Sequence, residues 1–520
     1  MTSTRTRTGL RTIAESFVVA PPSGTSTRTR LHPTDTEADG LRQIGMYLGS
    51  LYRSDVVARS KIGVVPKKLN GRAERKRDLT TDTSSRWAGT ITRAAEDQYQ
   101  LGLRALTAEI ITLNSATRKL RQRLAVPAGT KDAAGVAGYR SRAEHGAKTL
   151  RLRALETRLR DAETRRGQGS PTIVLGGGRL WSARQNLAAA GLTEATWRTK
   201  WDAARMFLTA DGESTQLGGN QTIRVTADGL VQVKVPGALE TELGSHLRLT
   251  VPVTFALRGA EWADRAQTRQ AIRYDITYDP DKDRWYLDAS WGYGKVAAPP
   301  LATLRAGRVI GVDLNVDHLT AAVIDPAGNP VGTPAIIPLL VDGLSAGARD
   351  GHLRHAITTL LDRADAADAT AIAIENLNFT ESRETGKETM GRGARGKRFR
   401  RQVAGIPTGK FRERLTAMAA NRGIHIIAVD PAYTSRWGGQ HWTKPLQQRT
   451  SGSTVTRHQA AAVAIGRRAH GHRIKRRKDG DRTQQRMRPT PPLTGTLMKP
   501  VNASTALTGP TRRQPPKLTG

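Results

Sequence analysis

Two acidic residues stand at the ends of apolar, strand-like runs, where their types and placement could do chemistry. Arg308 to Leu314 is rich in Val and Ile and carries Asp313 near its end, and Ala369 to Leu377, reading ATAIAIENL, ends in Glu375. A carboxylate at the end of a buried strand is expensive to desolvate unless a cation or several donors compensate it. Two strands that each deliver an acid at one end can converge those acids on a divalent ion. Paired metals roughly 3.5–4 Å apart clamp the attacking and leaving oxygens of a phosphodiester. Read alone, Asp313 is equally well a turn-capping residue.

The elements that must position these acids are legible nearby. Leu319 to Ile324 is a second apolar run, and the few polar residues after Leu314 make a tight connection, so Arg308–Asp325 predicts a β-hairpin. A helical segment over His352–Ala364 separates the hairpin from the Glu375 strand. Hairpin, helix and second acidic strand together predict an α/β chain with an RNase H-like nuclease core.

GVDLN at Gly311–Asn315, AIENLN at Ala373–Asn378 and VDPAYTSRWG at Val429–Gly438, in this order, resemble the RuvC-like nuclease of the TnpB (OrfB) family. These are transposon-encoded relatives of the type V CRISPR effectors. The resemblance covers residues 300–470 well and the rest more loosely. It implies an RNA-guided DNA endonuclease associated with an insertion sequence, with guide RNA and target DNA as partners. It further implies Mg2+ (or Mn2+) at Asp313 and Glu375, and two-metal phosphodiester hydrolysis. The alternative is a nuclease-deficient RNA-guided DNA-binding protein.

The chain departs from that family at two places. Relatives insert a four-cysteine zinc ribbon after the tyrosine–threonine–serine segment, whereas this chain has no cysteine and reads RWGGQHWTK there. One His without thiolates builds no structural zinc site, so no zinc is expected. The segment is read as a loop that relies on Trp437 and Trp442 for packing, or that orders on binding. The family's third carboxylate, at the start of the final helix, is also missing, because TRHQAAAVAIGRRAH (Thr456–His470) has Arg457, His458 and Gln459 where an aspartate is expected. Three accounts stand open. His458 acts as a neutral metal ligand or as a general acid/base; Asp430 or Asp317 reaches the site instead; or the nuclease is crippled. His458 as a plain helix-entry residue is the bland alternative. The small residues Ala460, Ala461 and Ala464 of the same helix suit close packing on a sheet.

Composition bounds the partners. Over 520 residues, Lys plus Arg total 82 against 46 Asp plus Glu, a formal net charge of +36. So large an excess argues against a small-molecule enzyme and for a protein that neutralises many phosphates. No run of 18 apolar residues occurs, so no membrane span is expected, and the N-terminus lacks the apolar core of a secretion signal. The expected location is cytoplasmic and nucleoid-associated.

The remaining segments read as follows. A strand-like run over Thr12–Ala20 precedes a strand–turn–helix in which Leu41, Ile44, Leu48 and Leu51 fall at helical spacing. Residues 93–124, with Leu106, Ile110, Leu113, Leu120 and Leu124, and a second helix marked by Leu152, Leu155 and Leu159 predict an antiparallel pair. Its outer face carries Arg118, Lys119, Arg121, Arg123, Arg151, Arg153, Arg158 and Arg160, a surface either solvated or laid along nucleic acid. Gly176–Arg179 reads GGGR without the Lys–Ser/Thr of a phosphate loop, and a helical stretch with Trp197 and Trp201 follows.

Five runs (Thr222–Thr226, Leu230–Val235, Leu247–Leu257, Ala271–Tyr278 and Arg284–Trp291) predict a small β-barrel or sheet. Arg392, Arg395, Lys397, Arg398, Arg400 and Arg401 sit among glycines just after the Glu375 strand, as a candidate nucleic-acid contact. The tail is basic and increasingly Pro-rich, a composition that predicts disorder. With the family layout, the expected division is an N-terminal wedge segment and helix (1–90), a helical recognition module (91–215) and a β-rich wedge domain (216–300). A RuvC-like nuclease domain lacking a zinc ribbon (301–470) and a basic tail (471–520) complete it.

Overall fold

The computed structural model describes residues 12–294, 297–341, 343–376, 408–450 and 454–474. The strand-like run at the N-terminus narrows to a two-residue strand, β1 (Phe17–Val18), followed by Pro21 and Pro22, which lack the N–H that a ladder requires. β2 (Gly24–Leu31) leads into α1 (Asp35–Ile62). A capping box sets the entry to α1: the Glu37 N–H donates to the Thr34 hydroxyl and the Thr34 N–H donates to the Glu37 carboxylate.

α2 (Ser85–Leu124) and α3 (Arg142–Gly167) form the expected antiparallel pair, with Leu106, Leu113, Leu159 and Ala162 buried in the seam. Part of the cationic outer face is already engaged. Arg121 pairs with Glu156 at 2.7 Å, Arg158 with Glu109 at 3.1 Å, and Arg123 lies 3.9 Å over the Tyr139 ring. Two short helices follow, α4 (Gly178–Ala183) and α5 (Glu194–Ala203).

The predicted strands form two sheets. β3 (Thr209–Ala210), β7 (Arg273–Asp279) and β8 (Arg284–Gly292) join β2 in the order β2-β8-β7-β3, and β4 (Ile223–Val225), β5 (Val231–Lys234) and β6 (His246–Arg248) make a three-stranded sheet. The strand expected over Leu247–Leu257 stops at Arg248. Pro252 interrupts the ladder, although Val253 and Phe255 stay buried. Leu41, Ile44 and Leu48 of α1 pack with Trp87 of α2 and with Trp285, Leu287 and Trp291 of β8 in one core.

The second half is a six-stranded sheet in the order β1-β13-β12-β9-β10-β11. β9 (Arg308–Leu314), β10 (His318–Ile324) and β11 (Pro330–Pro338) are an antiparallel meander. α6 (Ala346–Ala366) then crosses to β12 (Ala369–Glu375), which runs parallel to β9. α7 (Thr408–Ala420) leads to β13 (His425–Val429), parallel to β12, and β1 pairs antiparallel with β13 at the outer edge.

Strand alternation divides the side chains between two layers. Ile310, Val312, Ile372, Ile374 and Ile426 face α6 and α7 with Leu353, Ile357, Leu360, Phe411 and Leu415. Val309, Ala371, Ala373, Ile427 and Val429 face the opposite layer with Ile465 and Ala469. That layer is α8 (Thr434–Arg449) and α9 (Arg457–Ala469).

α8 corrects the expected loop: RWGGQHWTK is helical. Trp442 is buried with Leu446 against Ile324 and Val455, and its indole N–H donates to the Ile474 carbonyl at 2.7 Å. Aromatic burial and helix-to-helix packing thus order a segment that has no thiolates for zinc.

Candidate functional site

Period-two alternation decides where the acids point. Asp313 shares its face with Val309 and Gly311, and Glu375 shares its face with Ala371 and Ala373. Both therefore project toward α9. Ile374 pairs with Val312 across the parallel ladder, so the next residues along, Glu375 and Asp313, stand side by side at the ends of adjacent strands.

Close packing makes the arrangement rigid. A Cβ at Gly311 would overlap the Ala462 carbonyl oxygen and the Gly466 N–H, so α9 rests directly on the β9 backbone. Gly438 of α8 meets the Ala460 backbone in the same way. The small residues Ala460, Ala461 and Ala464 are all fully buried, as their spacing predicted.

The acids are held by specific partners. Asp313 is 5% exposed, and its Oδ2 accepts from Asn315 Nδ2 at 3.0 Å and contacts His458 Nδ1 at 2.9 Å. Glu375 Oε1 accepts from the Thr434 hydroxyl at the start of α8. Burial pushes the Glu375 carboxyl up to about 7, with nearby Asp313 and Asp430 adding to the rise and Thr434 and Arg468 opposing it.

Arg468, on α9, donates to the Asp430 and Ala432 carbonyls and supplies a buried positive charge behind the acids. Burial also lowers the pKa of Arg468 itself. Thr320, directly opposite Asp313 on β10, is fully buried, and among the described residues its hydroxyl has no hydrogen-bond partner. An orphaned hydroxyl beside a carboxylate pair is the environment a bound ion or water would complete.

The candidates for the third position separate clearly. His458 reaches the site in the first turn of α9, after an N-cap made by Thr456. Its hydrogen bond to Asp313 raises its pKa against the effect of burial. Nδ1 is committed to Asp313, which leaves Nε2 as the ring nitrogen that could carry a proton or meet a metal ion. Asp317 faces solvent and holds His318 Nδ1 at 2.6 Å rather than reaching Asp313.

Asp430 is buried near Glu375, but both carboxylate oxygens accept backbone N–H groups, from Ala14 and Ala432, each at 2.8 Å. It ties the N-terminal segment to the sheet. Among the described residues, no group of three or more His, Asp or Glu side chains converges as a metal site. The carboxylates of Asp313 and Glu375 are the pair that could hold a hard divalent cation keeping several waters.

Arg392, Arg395, Lys397, Arg398, Arg400 and Arg401 lie outside the described residues. Three members of the site went unnoticed in the sequence: Thr434, Thr320 and Arg468. Thr434 lies inside the quoted VDPAYTSRWG stretch, so a signal existed for it. Arg468 carried none, being one arginine among many.

No family model and no curated protein matches the chain. Among solved structures, T. thermophilus RuvC in complex with Holliday junction substrate matches over 32% of this chain and 92% of its own, at 15% identity and a TM-score of 0.22. That likeness is too slight to bear on function. Among the described residues, no helix is long and apolar enough to cross a membrane.

Proposed function

We propose that the chain is an RNA-guided DNA endonuclease with an RNase H-like, RuvC-type core, serving an insertion sequence. The observation that carries this reading is the side-by-side pair at the ends of adjacent parallel strands, Asp313 buried and Glu375 half-buried, with Glu375 pushed up to about 7. Two acids held this close repel one another, and a divalent cation relieves that repulsion. The strand order also supports the RNase H-like assignment: an antiparallel meander, then two parallel strands reached through helices. The net charge of +36 supports nucleic-acid partners.

Asp313 and Glu375 would hold Mg2+ or Mn2+, and the ion would supply charge stabilisation and an activated water for phosphodiester hydrolysis. The chain's own residues do the rest. Thr434 fixes one oxygen of Glu375, Asn315 and His458 orient Asp313, and Arg468 offsets the buried negative charge. His458, half-exposed at the rim with its pKa raised by the hydrogen bond to Asp313, is the side chain placed to give a proton to the departing oxygen. The α2/α3 pair and the two small sheets are the proposed grip on guide RNA. Arg392 to Arg401 are proposed to contact the substrate strand.

A second reading is a nuclease-deficient RNA-guided DNA-binding protein. The lack of a third converging carboxylate among the described residues favours it. One experiment separates the two readings: RNA that co-purifies with the protein is sequenced, and the complex is incubated with matching duplex DNA and Mg2+ or Mn2+. Cut product that disappears in Asp313→Ala supports the nuclease. An intact target that is nonetheless protected from other nucleases supports the binder.

A further inference from the structure

Residues 172–206 contain no buried residue, yet three of the chain's nine tryptophans lie there. Tryptophan is ordinarily spent on cores and interfaces, because its large apolar face is costly to leave in water. Here Trp197 and Trp201 are stacked, with ring centroids 5.6 Å apart and planes 13° from parallel, and Trp181 of α4 tilts against Trp201 at 5.9 Å. Trp181 is 40% exposed.

The rings are held in place by design rather than by collapse. The Trp197 indole N–H donates to the Leu180 carbonyl at 2.8 Å. Gly176 backs Trp201 and Arg205 with a positive φ of 102°, and a Cβ there would press on both side chains. The GGGR turn therefore serves as a support for an aromatic surface.

Cations border the rings. The Arg184 guanidinium lies 3.4 Å from the Trp181 ring centroid and Arg205 lies 5.0 Å from that of Trp201. Arg53 of α1 donates to the Arg205 carbonyl at 3.3 Å, and the Arg205 charge, after burial, lowers the pKa of Arg53. Among the described residues, Arg205 Nε is buried without a hydrogen-bond partner. Asp202 acts on Arg53, whereas Glu194 is paired with Arg198 and Asp281 with Lys200. Two mutually repelling guanidiniums beside stacked indoles are complementary to a ligand that is flat and aromatic at one end and anionic at the other.

We propose that the Trp181–Trp197–Trp201 cluster, with Arg184, Arg205 and Arg53, is a stacking platform for an unpaired base and its phosphate in single-stranded nucleic acid. The proposal rests on the nucleic-acid reading above and adds a site to it. Stacking tolerates any base, since every base has a π-face, so the platform would grip a strand without reading its sequence.

The test uses the full chain and fluorescein-labelled oligothymidylate, oligouridylate and a duplex of equal length, with binding followed by anisotropy across a salt series. Trp181→Ala should weaken both single-stranded ligands by roughly ten- to a hundredfold. The salt slope should stay unchanged, because no phosphate contact is removed. Trp181→Leu, which keeps apolar bulk without a π-face, should lose as much, and Trp181→Phe should restore most of the affinity. Duplex binding should hold in all three. Wild-type-like binding by Trp181→Leu, or an equal loss on duplex, overturns the platform alone. A wild-type chain that binds none of the ligands overturns the nucleic-acid reading as well.

Discussion

α9 and the tryptophan-bearing segment before β3 are opposites. From Gln459 to His470 every residue is buried, whereas from residue 172 to residue 206 none is. α9 meshes with its sheet through glycine and alanine, backbone against backbone, and so transmits position to Asp313 and Glu375 with little slack. The tryptophan segment holds its rings through a glycine turn and one indole hydrogen bond, and leaves Trp181 40% exposed. Catalytic groups need fixed geometry, and a strand-gripping surface needs accessible area. On the proposed reading, each region meets one of these demands at the expense of the other.

The sharpest way to break this comparison is at the acids. Asp313→Ala should lower Mg2+-dependent cleavage on the order of a thousandfold or more, since a bound metal supplies several kcal/mol of transition-state stabilisation. Nucleic-acid affinity measured on the same preparation should barely change. Cleavage that survives the substitution would remove the carboxylate pair from the chemistry.

Next in size is the backbone contact under α9. Gly311→Ala must push α9 off β9 and should cost about 1–3 kcal/mol or more, read as a lowered Tm. The matched control is Gly347→Ala near the start of α6, where an added Cβ meets nothing and stability should rise by roughly 0.4–1 kcal/mol. The same chemical change thus carries opposite signs in meshed and open surroundings. A neutral Gly311→Ala would contradict the tight packing.

A pH series sharpens the electrostatic side. With metal chelated, Glu375 stays protonated in the fold up to about 7 while its unfolded counterpart ionises near 4.5. Stability should fall between those two values as pH rises, by on the order of 3 kcal/mol at most, and then level off. His458 acts in the same direction, because its raised pKa contributes stability at low pH that is lost as the imidazolium deprotonates. Glu375→Gln should flatten most of the slope in Tm. Added Mg2+ should stabilise the wild type more above pH ~7 than below it, since binding needs the ionised acid.

The smallest effect belongs to the exposed helical pair. Arg121→Ala removes a surface contact to Glu156 and should shift stability by less than about 1 kcal/mol, and less still at high salt. A larger loss would show that the α2/α3 pair depends on its ion pairs and not on the Leu106–Leu159 seam.

Local pattern carried much of the second half of the chain. Apolar runs and short polar turns marked the β9–β10 hairpin, the β12 strand and the acids Asp313 and Glu375 near their ends, because each of these depends on residues close in sequence. The small face of α9 was equally legible, since alanines at helical spacing admit close approach. Elsewhere local pattern misled. RWGGQHWTK reads as a loop because it stands where the resembling family inserts a zinc ribbon and has no thiolate to order one, whereas burial of Trp442 against Ile324 and Val455 orders it as a helix.

The sequence by itself determined which side chains could do chemistry, Asp313 and Glu375 above all, and that they end strands. Its charge of +36 also made phosphates the expected partners. Only the tertiary structure decided that the acids stand side by side, that His458 binds Asp313 rather than standing free, and that Arg468 and Thr320 belong to the same site. The physical reason is separation: Asp313 and His458 are 145 positions apart, and contacts over such distances follow from how α9 packs on the sheet, which no local spacing encodes.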